Sequence, residues 1–156
     1  MHDTNNILVV SLSTETCKKA IHSGVSLAKL LGAQLYVLHS VYDPFSLEGW
    51  TLPVPSLIAL RDTRNEMMAE ARTEINRLIE EERTAGLKVT VKVAHGPLVP
   101  EVDRNVKEHR IDLLIMGAFK EGRIEHLFFS SAQHDIVRTM PCSVLLVKEQ
   151  HEWETE

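Results

Sequence analysis

The fold of this chain is decided by one stretch in its C-terminal third, which reads Ile111-Asp-Leu-Leu-Ile-Met-Gly-Ala-Phe-Lys-Glu-Gly-Arg-Ile-Glu-His-Leu-Phe-Phe-Ser-Ser131. Its apolar run, Leu113 to Met116, has the length of a strand that is buried on both faces. We expect this strand to stop at Gly117, where the backbone turns. A continuous apolar run of this kind is typical of the centre of a parallel sheet.

After Gly117 the sequence predicts a basic loop and then the start of a helix. Ser130 and Ser131 both carry the hydroxyl of a helix N-cap, and a helical apolar pattern follows them. The free N–H groups of such a helix start, together with the helix dipole, favour a bound anion. The loop contributes three basic side chains, Lys120, Arg123 and His126. We therefore expect the main candidate site of the molecule at this turn.

The composition fits one globular domain over residues 1–156, with a core over residues 5–149 and an acidic tail over 150–156. Hydrophobic residues make up 44% and charged residues 25% of the chain, the ordinary globular range. The formal charge of -5 argues against a nucleic-acid partner held through its phosphates. No apolar run approaches the roughly 20 residues of a membrane span. With two cysteines and no secretory pattern, we expect a cytoplasmic protein.

Five strands are predicted from the apolar runs. The first, second and fourth runs are apolar throughout, as in strands buried within a parallel sheet, whereas the third alternates and therefore fits a sheet edge. The predicted strands are Asn5–Leu12, Gln34–Val41, Leu87–Ala94, Leu113–Met116 and Cys142–Val147.

Four helices alternate with these strands. Ser13 or Thr14 is positioned to cap the first helix, and Gly32 to end it in the left-handed conformation. The second helix begins near Ser56, after a loop over Tyr42–Pro55, and stops at Gly86. The third and fourth helices are predicted from Leu98 to near His109 and from Ser131 to about Thr139.

This alternation predicts an α/β fold, a single doubly wound five-stranded parallel sheet in the order 3-2-1-4-5 with helices on both faces. The order places the ends of strands one and four side by side. A ligand normally binds at such a switch point.

No catalytic constellation stands out in the sequence. A nucleophile with its base, or a cluster of metal ligands, would be expected in an enzyme of a common class. The eight histidines are scattered, and none forms the i, i+4 pair of a zinc helix. We therefore expect no metal site and no conventional enzyme activity.

Five linked phrases occur in register over about residues 5–149. They are Ser13-Thr-Glu-Thr-Cys-Lys-Lys-Ala20, Ser26-Leu-Ala-Lys-Leu-Leu-Gly-Ala-Gln-Leu-Tyr-Val-Leu-His-Ser40, His95-Gly-Pro97, Ile111-Asp-Leu-Leu-Ile-Met-Gly117 and Met140-Pro-Cys-Ser-Val-Leu-Leu-Val147. In these phrases the chain resembles the universal stress protein family, and the resemblance implies the fold of that family and its usual homodimer. The last strand, Cys142–Val147, is also an apolar sheet edge, and self-pairing would protect such an edge from aggregation.

The resemblance also allows a comparison with the nucleotide-binding branch of that family. That branch carries glycine, two residues, glycine, nine residues, glycine and a serine or threonine, with an aspartate at the end of strand one. Gly117 and Ser131 match this motif, whereas Lys120 and Ser130 occupy the other two glycine positions and Leu12 occupies the aspartate position. The chain is therefore nearer to the branch that lacks the complete motif.

These differences predict weak or absent nucleotide binding. A charged hydrogen bond is worth about 1.5–3 kcal/mol, so Leu12 alone would weaken binding roughly ten- to a hundredfold. Lys120 adds a side chain where glycine would let the backbone approach a phosphate. We expect a non-enzymatic homodimer in stress signalling or protection, with no cofactor.

Two alternatives follow from the same resemblance. In the first, the protein is an ATP or AMP sensor, with phosphates over Gly117, Lys120, Ser130 and Ser131 and the base near Val41. In the second, Ser130 or Ser131 is phosphorylated, because the family includes members modified on serine or threonine. A phosphate at this helix start would be electrostatically favoured.

Overall fold

The structure, a computed structural model, describes residues 3–11, 17–41, 54–95, 97–120, 127–128, 131–139 and 141–148. Strands and helices alternate along most of the chain, as predicted. The elements are β1 (Asn6–Ser11), α1 (Lys18–Leu31), β2 (Gln34–Val41), α2 (Val54–Glu81), β3 (Val89–His95), α3 (Leu98–His109), β4 (Leu113–Lys120), β5 (Leu127–Phe128), α4 (Ser131–Thr139) and β6 (Ser143–Lys148).

Five of the strands form a parallel sheet in the order β3-β2-β1-β4-β6. Because β6 is the fifth predicted strand, this arrangement confirms the expected order 3-2-1-4-5. The two-residue β5 was not predicted, and it pairs antiparallel with the end of β4. The sheet therefore places the ends of β1 and β4 next to each other.

Two apolar cores lie on opposite faces of the sheet, which explains why the central strands are apolar at every position. Along β1, Ile7 and Val9 belong to the core under α1 and α2, whereas Leu8 and Val10 belong to the core under α3 and α4. All four side chains are almost completely buried. A strand covered on both faces needs a continuous apolar run rather than an alternating one.

Helix α1 ends as predicted but begins later. Gly32 has φ 66° and its N–H donates to the Ala28 carbonyl, so the left-handed C-cap is confirmed. At the other end Cys17 occupies the N-cap position, and its side chain makes no capping hydrogen bond. The predicted caps Ser13 and Thr14 lie outside the described residues.

Helix α2 stops at Glu81, so the prediction that it runs to Gly86 was wrong. The chain already turns at Arg83, which has φ 54°. Lys29 of α1 donates its Nζ to the carbonyls of Glu82 (3.3 Å) and Arg83 (2.6 Å), which would otherwise need partners at a helix end. Gly86, with φ 81°, turns the connection towards β3. This contact from α1 could not be read from the pattern of α2.

Strand β4 does not stop at Gly117, which corrects the prediction made for the central stretch. Gly117 and Ala118 continue the parallel ladder and pair with Val147 and Lys148 of β6. The last two residues of β4 then pair antiparallel with β5. The strand is longer than its apolar core because its neighbours supply further backbone partners.

The opposite, amino-terminal edge of the sheet is held by Asp112. Its Oδ2 accepts the backbone N–H groups of Asn5 (2.9 Å) and Asn6 (3.0 Å), and its own N–H donates to the Asn6 carbonyl (2.9 Å). The carboxylate thus fixes the start of β1 against the start of β4. Helices α3 and α4 have the predicted bounds.

Candidate functional site

The candidate site lies at the carboxyl ends of β1 and β4. The register of these strands ends with Val10 opposite Met116, so Ser11 and Gly117 come next on the two chains. Strand β1 ends at Ser11, whereas β4 continues away beside β6. The crevice outside the carboxyl ends of the strands, at a switch point of the strand order, is where α/β sheets commonly bind ligands.

The polar feature of this edge is a buried pair formed by Ser11 and His39. The two residues are register partners on β1 and β2. Ser11 Oγ lies 2.9 Å from His39 Nδ1, and the exposed fractions of the two residues are 1% and 5%. Because side chains alternate along a strand, both lie on the α1 and α2 face with Val9 and Val37.

The surroundings of His39 favour an uncharged imidazole. Burial lowers the pKa of His39 from its ordinary value of 6.5, and a hydrogen bond to the Ser11 backbone acts in the opposite direction. At neutral pH the ring therefore serves as a hydrogen-bonding group and not as a cation.

Our sequence analysis did not predict this pair. A signal was present, because Ser11 ends the apolar run of β1 and His39 interrupts the run of β2 two residues before its end. Both positions are inward-facing, where a polar residue needs a hydrogen-bonding partner. Only the register of the two strands identifies each as the partner of the other.

The structure brings some of the predicted site residues to this edge. Val41 is the last residue of β2, is 6% exposed and lies two positions after His39, on the same face. Gly117 is half-buried within β4. Ser131 is the first residue of α4. The predicted Leu12, Arg123, His126 and Ser130 lie outside the described residues, as does most of the Tyr42–Pro55 loop.

Lys120 lies in a different setting from the predicted one. It is the last residue of β4 and the antiparallel partner of Leu127, rather than part of an open loop. Residues 117–120 are therefore extended and engaged in strand pairing. A phosphate loop instead presents successive backbone N–H groups to one anion.

The described part of the chain shows neither a metal-binding cluster nor a membrane-spanning helix. No group of three or more histidine, cysteine or acidic residues there could hold a metal ion. Within the same residues, every helix is too short or too polar to cross a bilayer. The carboxyl edge therefore remains the candidate site.

Comparison with protein families gives a match that spans nearly the whole chain. The model described as "Universal stress protein family" matches residues 4–148. Among curated proteins, universal stress protein YxiE of Bacillus subtilis (strain 168) is 26% identical in an alignment of 148 residues that covers 92% of this chain and 99% of the relative.

Solved structures share the same fold. Universal stress protein UspA from Lactobacillus plantarum has a TM-score of 0.76 at 21% identity, covering 94% of this chain and 99% of its own. A universal stress protein family protein from Arabidopsis thaliana, solved with AMP bound, has a TM-score of 0.62 at 15% identity, covering 97% and 95%. At these identities the likeness establishes the fold.

Proposed function

We propose that this chain, which belongs to the universal stress protein family, is a cytoplasmic stress-response protein that works as a homodimer in signalling or protection. It binds adenine nucleotides weakly or not at all and has no conventional enzyme activity. It belongs to the branch of the family without the complete ATP-binding motif.

The observation that carries the nucleotide part of this proposal is the path of β4 after Gly117. In the nucleotide-binding motif this position begins a glycine loop, whereas here the backbone pairs with β6 and then with β5. Binding a phosphate on this segment would require some of those backbone pairs to break. Each unmade backbone hydrogen bond costs about 1 kcal/mol or more, so several would offset much of a micromolar affinity.

The identity of Leu12 in the sequence supports the same conclusion. This residue follows Ser11 directly and occupies the position of the motif aspartate. A leucine offers no acceptor to a ribose hydroxyl, so one charged hydrogen bond of about 1.5–3 kcal/mol is lost. The leucine thus removes a contact to the ribose, and the strand pairing after Gly117 removes contacts to the phosphates.

Calorimetric titration with ATP and magnesium tests this part of the proposal. We expect a dissociation constant weaker than about 10 μM. Leu12→Asp should tighten binding, because it restores a charged acceptor, whereas the matched control Leu12→Asn supplies only a neutral acceptor of similar size and should tighten binding less. Binding by the unmodified chain well below that value would refute the proposal.

The dimer part of the proposal rests on the two edges of the sheet. At the β3 edge, Arg72 Nη1 lies 3.4 Å from the Val91 carbonyl and covers part of the backbone. At the other edge β6 pairs with β4, and its residues Leu145 and Leu146 are 37% and 40% exposed. Successive strand residues point to opposite faces, so both faces of β6 carry an exposed leucine. An apolar edge of this kind is stabilised by pairing with a second copy.

Light scattering tests the dimer. We expect a mass near twice the 17.6 kDa of the chain at micromolar concentration. The double change Leu145→Lys and Leu146→Lys should give a monomer, because two charges would enter the interface. The control Leu30→Lys adds a charge at another exposed leucine, on α1, and should leave the mass unchanged. A monomeric unmodified chain would contradict the proposal.

The second candidate function is an ATP or AMP sensor at the same crevice. It is favoured by the AMP found in the Arabidopsis thaliana protein and by the buried Val41 at the end of β2, near the expected place of the base. The first turn of α4 also has no acidic residue to repel phosphates placed over Gly117, Lys120, Ser130 and Ser131. An absorbance maximum near that of adenine in the purified protein, lost on denaturation and filtration, would support the sensor.

Phosphorylation of Ser130 or Ser131 would add a regulatory step to either function. Ser131 begins α4, where a phosphate is favoured by the helix dipole and the free N–H groups. Phosphopeptide mapping of protein from stressed cells tests this proposal. Unmodified peptides covering both serines, from cells in which the response is active, would count against it.

A further inference from the structure

The edge strand β6 is followed almost directly by the acidic tail. Only Glu149 separates Lys148, the last residue of β6, from the tail over residues 150–156. From His151 onwards the tail reads His-Glu-Trp-Glu-Thr-Glu, so that a glutamate occupies every second position. Strict alternation is typical of a strand with two different faces, and tryptophan and threonine are frequent in strands. The tail therefore has the pattern of an edge strand.

Strand β6 offers such a segment an apolar edge. Among the described strands β6 pairs only with β4. Val144 and Val147 pack against the two cores, whereas Leu145 and Leu146 are 37% and 40% exposed, one on each face. An edge with exposed apolar side chains is stabilised when a further strand pairs with it.

We propose that the acidic tail is an intramolecular cap: it pairs antiparallel with β6 of its own chain and competes with the second copy for this edge. As a regulator of dimerisation the cap rests on the proposed homodimer. Tethering favours the tail, because a segment on a short connection has an effective concentration on the order of millimolar, whereas a second copy is present at micromolar concentration.

The connection between β6 and the tail decides which residues meet. A two-residue hairpin turn favours glycine or asparagine, which Glu149-Gln150 does not supply, whereas four-residue connections around a type I turn accept most residues. With residues 149–152 as this connection, Trp153 lies opposite Lys148. Its ring then shares a face with Leu146, the diagonal neighbour, which is within reach of a large aromatic side chain. The tail thus brings its one large apolar side chain to an exposed leucine.

Two glutamates make this pairing weak enough to be displaced. In the same register Glu154 and Glu156 lie opposite Val147 and Leu145, and such pairs gain less than apolar ones. A tail that covers the edge in about two-thirds of the chains leaves about one-third of them competent to dimerise. Because both copies must be competent, the dissociation constant of the dimer is then raised about ninefold.

Analytical ultracentrifugation of the full chain and of a chain that ends at Lys148 measures this effect. Removal of the tail should lower the dissociation constant of the dimer by about tenfold. Removal also takes away four glutamates, so the control keeps the tail and changes each of them to glutamine. This control should tighten the dimer far less. Equal tightening in both chains, or no tightening when the tail is removed, would overturn the proposal.

The fluorescence of Trp153 tests the cap in the monomer. In the Trp50→Phe chain Trp153 is the remaining tryptophan. At nanomolar concentration, acrylamide should quench it roughly threefold less than in the same chain with Leu146→Lys, since two-thirds of the tails are paired. Leu30→Lys, at an exposed leucine on α1, is the matched control and should keep the protection.

The concentration dependence of this quenching separates the cap from the dimer. As the dimer forms, quenching of Trp153 should rise, because the second copy displaces the tail. Protection that is absent at nanomolar concentration, or that appears only as the dimer forms, would overturn the cap. A chain that stays monomeric at micromolar concentration with a protected Trp153 would refute the homodimer and still support the pairing of the tail with β6.

Discussion

Gly24→Ala tests how closely α1 packs on the sheet. Gly24 is buried in α1, above the middle of β1. A Cβ at this position would lie 2.4 Å from Val9 Cγ2 and 3.3 Å from Leu35 Cδ1. The first distance is far below van der Waals contact, so the Val9 side chain, the helix or the strand must shift.

Two opposing effects set the magnitude. Alanine is better than glycine inside a helix by about 0.8–1 kcal/mol. Overpacking a dense core costs about 1–3 kcal/mol, and the upper part of that range applies because Val9 is fully buried in a central strand. We therefore expect Gly24→Ala to lower the free energy of unfolding by about 1–2 kcal/mol.

Urea denaturation at fixed protein concentration, followed by circular dichroism, measures this difference. Ser26→Ala, at an exposed position of the same helix, is the control and should stabilise the chain by a few tenths of a kcal/mol, roughly the propensity difference.

Combining Gly24→Ala with Val9→Ala tests the contact itself. The double variant should be more stable than the sum of the two single effects by about 1 kcal/mol or more, because the new Cβ enters the space that the Val9 methyl leaves. If Gly24→Ala stabilised the chain, as Ser26→Ala is expected to do, the close packing of α1 on β1 would be refuted.

Three further predictions concern other parts of the chain. Asp112→Ala should lower the free energy of unfolding by about 1.5–3 kcal/mol, because two backbone N–H groups lose a charged acceptor, and an unchanged urea midpoint would contradict that role. Gly86→Ala should lower the free energy of unfolding by about 1–2 kcal/mol, because an alanine is strained at the φ of 81° that Gly86 adopts. The strain is in the backbone alone, since a Cβ at this position would meet nothing within 4 Å. The neighbouring Ala85→Gly is the control, because it exchanges alanine and glycine where no positive φ is required. Burial raises the pKa of the Cys142 thiol, so its alkylation by iodoacetamide should be slow at pH 7 and accelerate as the pH rises, and a rate equal to that of a free thiol at pH 7 would exclude this.

Much of the fold could be predicted because its signals are local. The bounds of β2, α3 and α4 agree with the predicted ones, and Gly32 ends α1 in the predicted conformation. In each case the signal is a periodic apolar pattern or a residue that interrupts it. The strand order also followed, because alternating strands and helices leave few arrangements with right-handed crossovers.

The candidate site was less predictable. The crevice between β1 and β4 could be predicted from the strand order. The continuation of β4 past Gly117 could not, because the backbone partners of its last residues belong to β5 and β6. The end of α2 likewise depends on Lys29, which is more than fifty residues away from the carbonyls that it binds.

The sequence by itself determined where the buried strands lie, that they form a parallel sheet, and which end of that sheet holds the crevice. The tertiary structure alone decided that Ser11 and His39 are partners, that residues 117–120 are extended, and that Leu145 and Leu146 of β6 are exposed. The physical reason is the distance along the chain over which each interaction acts. Helix and strand formation depends on neighbours in the chain, whereas hydrogen-bond partners and edge exposure depend on which strands are adjacent in space.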